Sequence, residues 1–195
     1  MKHIFLTIIL SFVCMAEAWA QGKRAQSSGE QSVYQLGLGT NHINFNNKVQ
    51  KDSISGFNLY TSIGVQGLKN FDEEFFLSAE LGYGSEGSKQ SFLGNAQLEF
   101  GYRFLMSKTV SLAPRLNIGG GYIFHENKDQ NWQLNQLNEV KGFIFSYGGN
   151  LNIDYKIKKD LSVGLKIQYT KFLLNVGTSS NMERVSPSLI VTFDF

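Results

Sequence analysis

The feature that most constrains this chain is an alternation of period two. From about Val33 to the last residue, apolar side chains alternate with small or polar ones. A β-strand sorts such residues onto two faces, whereas a helix with about 3.6 residues per turn would scatter them over its surface. The run LSVGLKIQYT at 161–170 is a clear example, because every second residue in it is apolar. The sequence therefore predicts an all-β protein.

Polar, turn-rich stretches divide the chain into eight predicted strands of about 12 residues. Short connections alternate along the chain with mostly longer ones, which is typical of an up-and-down outer-membrane barrel with short periplasmic turns and longer external loops. The predicted fold is an eight-stranded antiparallel up-and-down transmembrane β-barrel. The predicted strands are 33–42, 54–65, 73–85, 91–105, 110–123, 140–157, 161–173 and 184–195.

The same alternation is compatible with a soluble barrel or sandwich, and the polar face separates the two. A soluble surface is dense in Lys and Glu, but this chain is only 17% charged, against about 25% in average proteins. Its polar face carries Gly, Ser, Asn and Thr with isolated charges, which suits a narrow barrel interior. We therefore expect the apolar face to contact lipid. An eight-stranded barrel leaves no open aqueous channel, so a porin is not expected.

The N-terminus has the features of a secretory signal. Lys2 is followed by a mostly apolar region of ten residues at 4–13 and by the small-x-small pattern of a cleavage site at 18–20. These features predict export through the Sec route to the outer membrane of a Gram-negative bacterium. The predicted organisation is a signal peptide at 1–20, a flexible periplasmic leader at 21–32 and a β-barrel domain at 33–195.

The residues that commonly carry chemistry are scarce. The only cysteine, Cys14, lies in the signal, and Val13 before it is not the small residue of a lipobox. His42 and His125 are expected to be solvated loop histidines, and His125 with Glu126 makes an incomplete metal site. We expect no catalytic, cofactor-binding or metal-binding residues. A net charge of +2 without a basic cluster gives no reason to expect direct nucleic-acid binding.

Isolated charges on the polar face are the strongest candidate site. Because an unpaired charge inside a barrel would cost several kcal/mol, they are expected to pair across strands as a lumenal charge network. Such a network could be a proton or ion path or an active site, or it could be a salt-bridged plug that rigidifies the barrel. The members are Glu80, Glu99, Arg103, Arg115 and Lys166.

Two further features concern partners. Trp132 lies in a polar, Asn/Gln-rich stretch and is either a docking anchor or an interfacial residue that contacts lipid headgroups. The chain ends with Phe193 and Phe195 on an alternating last strand, which resembles the C-terminal signal that the barrel assembly machinery binds.

The C-terminal half resembles a known family. The run 143–174 forms a glycine-punctuated hairpin with Thr170-Lys171 near its end, and a segment with Arg184 and Pro187 opens the last strand. These features are similar to the TraO family of Bacteroides-type conjugative transposon transfer proteins, whose corresponding segment is one residue shorter between Arg and Pro. The resemblance implies a non-enzymatic outer-membrane component of a conjugative DNA-transfer apparatus, an anchor or docking element for other transfer proteins.

Two alternatives stay open from the sequence. The first is a generic Bacteroidota-type outer-membrane β-barrel with a structural or surface-adhesive role. The second is a lipid-modifying barrel enzyme that uses a lumenal carboxylate such as Glu80 or Glu99. For all three functions the expected partners include outer-membrane lipids and, during biogenesis, the barrel assembly machinery.

Overall fold

The computed structural model describes residues 31–46, 51–68, 71–127, 139–174 and 181–195. No helix among these residues is long and apolar enough to cross a membrane. The described residues form nine strands: β1 (Gln31–Asn46), β2 (Lys51–Leu68), β3 (Phe71–Glu86), β4 (Lys89–Tyr102), β5 (Phe104–Leu105), β6 (Val110–Asn127), β7 (Glu139–Lys158), β8 (Leu161–Leu174) and β9 (Asn181–Asp194).

The strands close into one antiparallel barrel. Each long strand pairs with its neighbours in the chain, β1 pairs with β9, and β5 is a two-residue continuation of β4 along the same edge of β6. The predicted eight-stranded up-and-down barrel is therefore confirmed. A circuit of paired residues that starts at Leu36 returns at Asn46, ten residues further along β1. Eight strands with such a stagger tilt by about 35–45° and leave an interior that side chains can fill.

The observed strands differ from the predicted ones mainly in length. The long strands contain 14 to 20 residues, because the pairing continues beyond the segments that alternate most clearly. β1 begins at Gln31, so the last two residues of the predicted leader belong to the barrel. The predicted signal peptide, the rest of the leader and Trp132 lie outside the described residues.

The two prolines of the chain lie where the strand ladder is interrupted. The break between β4 and β5 lies opposite Pro114, and the β1–β9 pairing is interrupted opposite Pro187. Proline lacks the N–H that a ladder requires. At the second break the Ser186 hydroxyl donates a hydrogen bond to the Thr40 carbonyl oxygen at 3.1 Å, which supplies a donor beside the proline. The barrel accommodates both prolines without a change of register.

The two ends of the barrel are unlike. β1–β2, β3–β4, β6–β7 and β8–β9 are joined at one end, here called the loop end. Both termini of the barrel lie at the other, the turn end. The β3–β4 connection is the tightest at the loop end. Gly87 opens its two-residue turn with a φ of 58°, a conformation that glycine adopts without steric cost.

Most of the barrel has the polarity expected of a membrane-spanning protein. This part, here called the membrane section, comprises the described residues from the turn end up to the point near the loop end where the polarity reverses. Its inward side chains are mostly polar and buried, whereas its outward side chains are large, apolar and exposed. Phe100 and Tyr102, for example, are 46% and 51% exposed. The outward apolar side chains include Leu36, Leu38, Phe57, Leu59, Phe75, Leu98, Leu116, Ile118, Phe145, Tyr147, Ile153, Leu165, Ile167 and Leu189.

The polarity reverses near the loop end, in residues 41–46, 51–55, 85–93, 123–127, 139–144, 171–174 and 181–184, here called the loop-end section. Its outward positions are mostly polar; among the described residues Phe143 and Leu173 are exposed apolar exceptions, and Phe92 and Phe124 are partly exposed ones. Its interior holds a packed apolar cluster. The cluster, here called the apolar plug, consists of Ile43, Phe45, Ile54, Leu93, Ile123, Ile144, Phe172 and Met182.

The apolar plug corrects one expectation. Ile54, Leu93 and Ile123 lie in predicted strands, on the face that was expected to fill the interior with small and polar side chains. All three are fully buried inside the barrel. The physical reason is that the strands outrun the 9–11 residues that cross a bilayer, so that their ends take the polarity of a water-soluble barrel.

Candidate functional site

The candidate site is the charge network inside the membrane section. Its members occupy inward positions of β3, β4, β6, β7, β8 and β9, where the alternation of each strand turns every second side chain toward the interior, and Arg103 lies in the break between β4 and β5. Most of them are almost completely excluded from solvent: Glu99 is 0%, Lys166 1% and Arg115 2% exposed, whereas the Arg103 side chain is 17% exposed. The strand pairing brings together charges that are far apart in the chain.

Glu99 is the centre of the first cluster. The Lys166 Nζ lies 2.7 Å from its Oε1, and the Tyr60 hydroxyl donates to the same oxygen at 3.2 Å. The Asn150 amide donates to Oε2 at 3.0 Å, and the Arg115 Nη1 is 3.6 Å from it. The Lys166 ammonium also lies 3.5 Å from the centroid of the Tyr60 ring. This carboxylate therefore has charged or polar partners on both oxygens.

Glu74 is the centre of the second cluster, nearer the turn end. Its Oε1 lies 2.7 Å from the Arg103 Nε, and its Oε2 lies 2.7 Å from the Arg115 Nε. Arg115 therefore joins the Glu74 and Glu99 clusters. The Arg115 guanidinium stacks over the Phe76 ring at 4.0 Å, and the Arg103 Nη2 lies 3.8 Å from the Asp154 carboxylate.

The third cluster pairs Glu80 with Arg184. The Asn58 amide donates to the Glu80 Oε1 at 2.7 Å, and the Gln168 amide donates to its Oε2 at 3.3 Å. The Arg184 guanidinium lies 5.4 Å from the centroid of the Phe172 ring, which belongs to the apolar plug. This cluster is therefore the boundary between the polar interior and the plug.

The alternation of the sequence predicts five members of the network but not the others. The structure places the five side chains inside the barrel, but Glu80 pairs with none of the other four and Arg103 pairs with Glu74. Glu74 and Arg184 were missed, although each lies at the edge of a predicted strand. Glu74 is six residues before Glu80 on one strand, an even spacing that puts both on one face. That parity would have identified it.

The arrangement of the network indicates a structural element. Four acids face four bases, so that the charges balance within the buried interior. Glu80 and Glu99 are buried and ion-paired inside the wall, and neither faces the lipid. The geometry therefore gives no support to a lipid-modifying enzyme based on either carboxylate. The charged members of the three clusters are Glu74, Glu80, Glu99, Asp154, Arg103, Arg115, Lys166 and Arg184.

The histidines correct another prediction. His125 was expected in a solvated loop, but β6 extends to Asn127, and the ring of His125 is fully buried and stacks on Phe45 at 4.1 Å. His42 is exposed as expected but lies on β1, where its Nδ1 is hydrogen-bonded to the Ser55 hydroxyl at 2.9 Å. Within the part of the chain that the structure describes, no three His, Cys, Asp or Glu side chains are arranged to hold a metal ion.

Aromatic side chains flank the membrane section at both ends. Phe57 and Tyr83 contact each other with ring centroids 5.7 Å apart near the loop end, and Tyr34 and Phe193 lie 6.5 Å apart near the turn end. Phe195 is 76% exposed, and its backbone N–H donates to the Ser32 carbonyl at 2.8 Å. Aromatic girdles of this kind mark the two interfaces of outer-membrane barrels.

Comparison with known proteins agrees with this geometry. Residues 5–186 match the family described as outer membrane protein beta-barrel domain. The chain belongs to this family. As a member of it, the protein is an outer-membrane β-barrel. The narrower resemblance to the TraO proteins stays a prediction. No curated protein matches the sequence.

Solved structures with the same fold include Neisserial surface protein A (NspA) and a major outer membrane protein from Thermus thermophilus. NspA is 12% identical, with a TM-score of 0.61 over 83% of this chain and 97% of that chain. The Thermus protein is 10% identical, with a TM-score of 0.54 over 86% of this chain and 100% of that chain. Ail, the attachment invasion locus protein of Yersinia pestis, is 16% identical, with a TM-score of 0.48 over 85% and 99%. Likeness at these identities concerns the fold alone.

Proposed function

We propose that this protein is a closed, non-conducting anchor of the outer membrane that docks other proteins at its loop end, as a component of a conjugative DNA-transfer apparatus. The observation that carries the anchor role is the filled interior. The ion-paired network occupies the membrane section, and the apolar plug occupies the loop-end section. A barrel filled in this way supports rigid presentation of its ends rather than transport.

The loop-end section supports the docking role. Its strands continue past the outward apolar side chains of the membrane section, here called the apolar belt. Beyond this belt they have polar residues outside and a packed core inside, so that the connections between strands start from a rigid base. Binding residues are often found on loops that a rigid scaffold positions.

Short turns at the other end favour an orientation with the loop end outside the cell. Export through the Sec route and recognition of Phe193 and Phe195 by the assembly machinery belong to the same proposal.

The conjugative role depends on the resemblance of 143–174 and 183–195 to the TraO proteins. The alternative, a structural or surface-adhesive barrel unrelated to transfer, is favoured by the same polar loop-end exterior, because that surface would suit any external partner. The partners, which are outer-membrane lipids, the barrel assembly machinery and other transfer proteins, are all part of the proposal. Only the conjugative function requires this protein for DNA transfer, so a mating assay separates the two functions.

The test is deletion of the gene, followed by measurement of transfer frequency in mating assays. We expect transfer to be lost and to be restored by the wild-type gene. Trp132→Ala should restore transfer poorly and Trp132→Phe should restore it well, if the ring is a docking anchor. An unchanged frequency in the deletion strain would refute the conjugative role.

The anchor role has its own test. The purified protein in planar lipid bilayers is expected to show no steady ion conductance, because the interior is filled by side chains. Stable single-channel conductance of the wild-type protein would overturn the closed-barrel function, whatever the mating assay shows.

A further inference from the structure

The turn end of the barrel carries a basic surface on one side. Lys108 lies in the connection between β5 and β6, and three more lysines lie where β7 turns into β8. All four side chains are exposed. We call this surface, formed by Lys108, Lys156, Lys158 and Lys159, the basic shoulder.

Backbone contacts hold the two parts of the basic shoulder together. The backbone N–H of Lys156 donates to the Thr109 carbonyl at 2.7 Å, which joins the end of β7 to the β5–β6 connection. That connection is itself ordered, because the Ser107 hydroxyl oxygen accepts from the backbone N–H groups of Thr109 at 3.2 Å and Val110 at 3.0 Å. The two turns that carry the lysines are therefore held side by side.

Apolar side chains border the lysines. Leu105 and Met106 are 70% and 69% exposed, and Tyr155 and Ile157 are 56% and 53% exposed. Lys158 follows Ile157 and pairs with Leu161, so a charge lies beside apolar side chains at the edge of the membrane section. Exposed apolar side chains beside lysines are typical of a membrane interface, where acyl chains and headgroups meet.

The charges of the basic shoulder are poorly neutralised by the protein. Among the described residues, no carboxylate lies within ion-pair distance of any of the four ammonium groups, whereas Lys171 on the same barrel pairs with Glu183 at 3.4 Å. Among the described acids at the turn end, Asp160 is exposed, Asp194 is mostly buried and interacts electrostatically with Lys156, and Glu73 lies further round at the start of β3. The shoulder therefore presents an excess of positive charge.

We propose that the basic shoulder binds the headgroup phosphate of an anionic phospholipid, whose acyl chains lie against Tyr155 and Ile157. Charge complementarity selects the headgroup, and continuity with the apolar belt selects a lipid over a soluble anion. This goes beyond the anchor function and requires no docking partner. An anionic membrane surface attracts each nearby lysine, so several lysines on one headgroup region give a measurable preference.

The experiment measures lipid binding to the intact barrel extracted from membranes. The protein is mixed with micelles that contain phosphatidylglycerol and phosphatidylcholine of equal chain length, and native mass spectrometry compares the affinities of the lipids retained. We expect a preference for phosphatidylglycerol in the wild type. In K156Q/K158Q/K159Q the preference should fall by about tenfold or more, consistent with the loss of three such contacts.

The matched control is K89Q/K141Q/K171Q, which removes the same charge at the loop end and should keep the preference. K156R/K158R/K159R should keep it as well. Equal binding of the two lipids by the wild type would overturn the proposal without any variant. The natural partner of the lysines would then be an acidic protein surface rather than a lipid. Loss in the control variant would equally overturn it, since net charge alone would then explain the effect. Neither result bears on conductance or transfer frequency.

Discussion

The membrane section and the loop-end section are built from the same strands with opposite polarity. In β6, Leu116 and Ile118 point outward while Arg115 lies inside; a few residues further on, Glu126 lies outside and Ile123 is fully buried. The surrounding medium explains the difference. Outward side chains of the membrane section contact acyl chains, so the polar side chains must satisfy one another inside. The loop-end section meets water, so burying apolar side chains inside it becomes favourable.

The comparison also shows that the two interiors are stabilised differently. The membrane section has an interior of ion pairs, which contribute to stability only when every partner is present. The loop-end section has an apolar plug, whose contribution to stability depends on close packing and on exclusion of water. Arg184 lies where the two meet, pairing with Glu80 on one side and contacting the Phe172 ring on the other. Substitutions should therefore have different costs in the two sections.

The largest effect is expected at the centre of the ionic interior. Glu99→Ala leaves the Lys166 ammonium without its 2.7 Å partner in a buried site, and breaking a buried pair in this way costs about 3–5 kcal/mol. The measurement is denaturant unfolding of the barrel in lipid vesicles. Adding Lys166→Met should recover part of the loss, because the unpaired charge is then removed. A loss below about 1 kcal/mol would show that water solvates this interior.

The next largest effect compares the two outer surfaces with one substitution. Leu116→Arg introduces a charge on the lipid face and should cost about 2–4 kcal/mol, if Leu116 lies near the bilayer midplane. Gln90→Arg, at an exposed outward position of the loop-end section, should change the free energy of unfolding by less than about 0.5 kcal/mol. Equal costs at the two positions would mean that the boundary between the sections is misplaced.

A smaller effect compares the two sides of the wall. Ile123→Val removes one methylene from the apolar plug and should cost about 0.5–1.5 kcal/mol. Ile118→Val makes the same change on the lipid face, where Ile118 is 44% exposed. It should cost less, because fluid acyl chains fill the space. The same unfolding assay compares them, and a greater loss at Ile118 would contradict the packed plug.

The smallest effect concerns the outside of the loop-end section. Lys171 and Glu183 form an ion pair at 3.4 Å on neighbouring strands, with both side chains partly exposed. Exposed pairs contribute little, and salt screens them. Lys171→Gln should therefore destabilise the barrel slightly at low ionic strength and not at high ionic strength. A difference that persists in concentrated salt would indicate that this position is shielded from water.

Local sequence predicted much of the barrel and only part of the site. Strands such as 161–173 alternate cleanly, because lipid and interior impose opposite polarities on neighbouring residues. The same rule assigned Glu99, Arg115 and Lys166 to the interior. It could not pair them, since the ion-pair partners of Glu99 come from β6 and β8, and register is set by the closure of the whole sheet. It also failed for His125, where the strand continues past its expected end.

The sequence by itself determined that this chain forms antiparallel strands with one apolar and one polar face, because a period of two allows no other regular structure. Only the tertiary structure decided which charges meet and where the polarity reverses. Both depend on the stagger of the closed barrel and on how far each strand extends beyond the bilayer. Those quantities belong to the pairing of all the strands together, and no single segment encodes them.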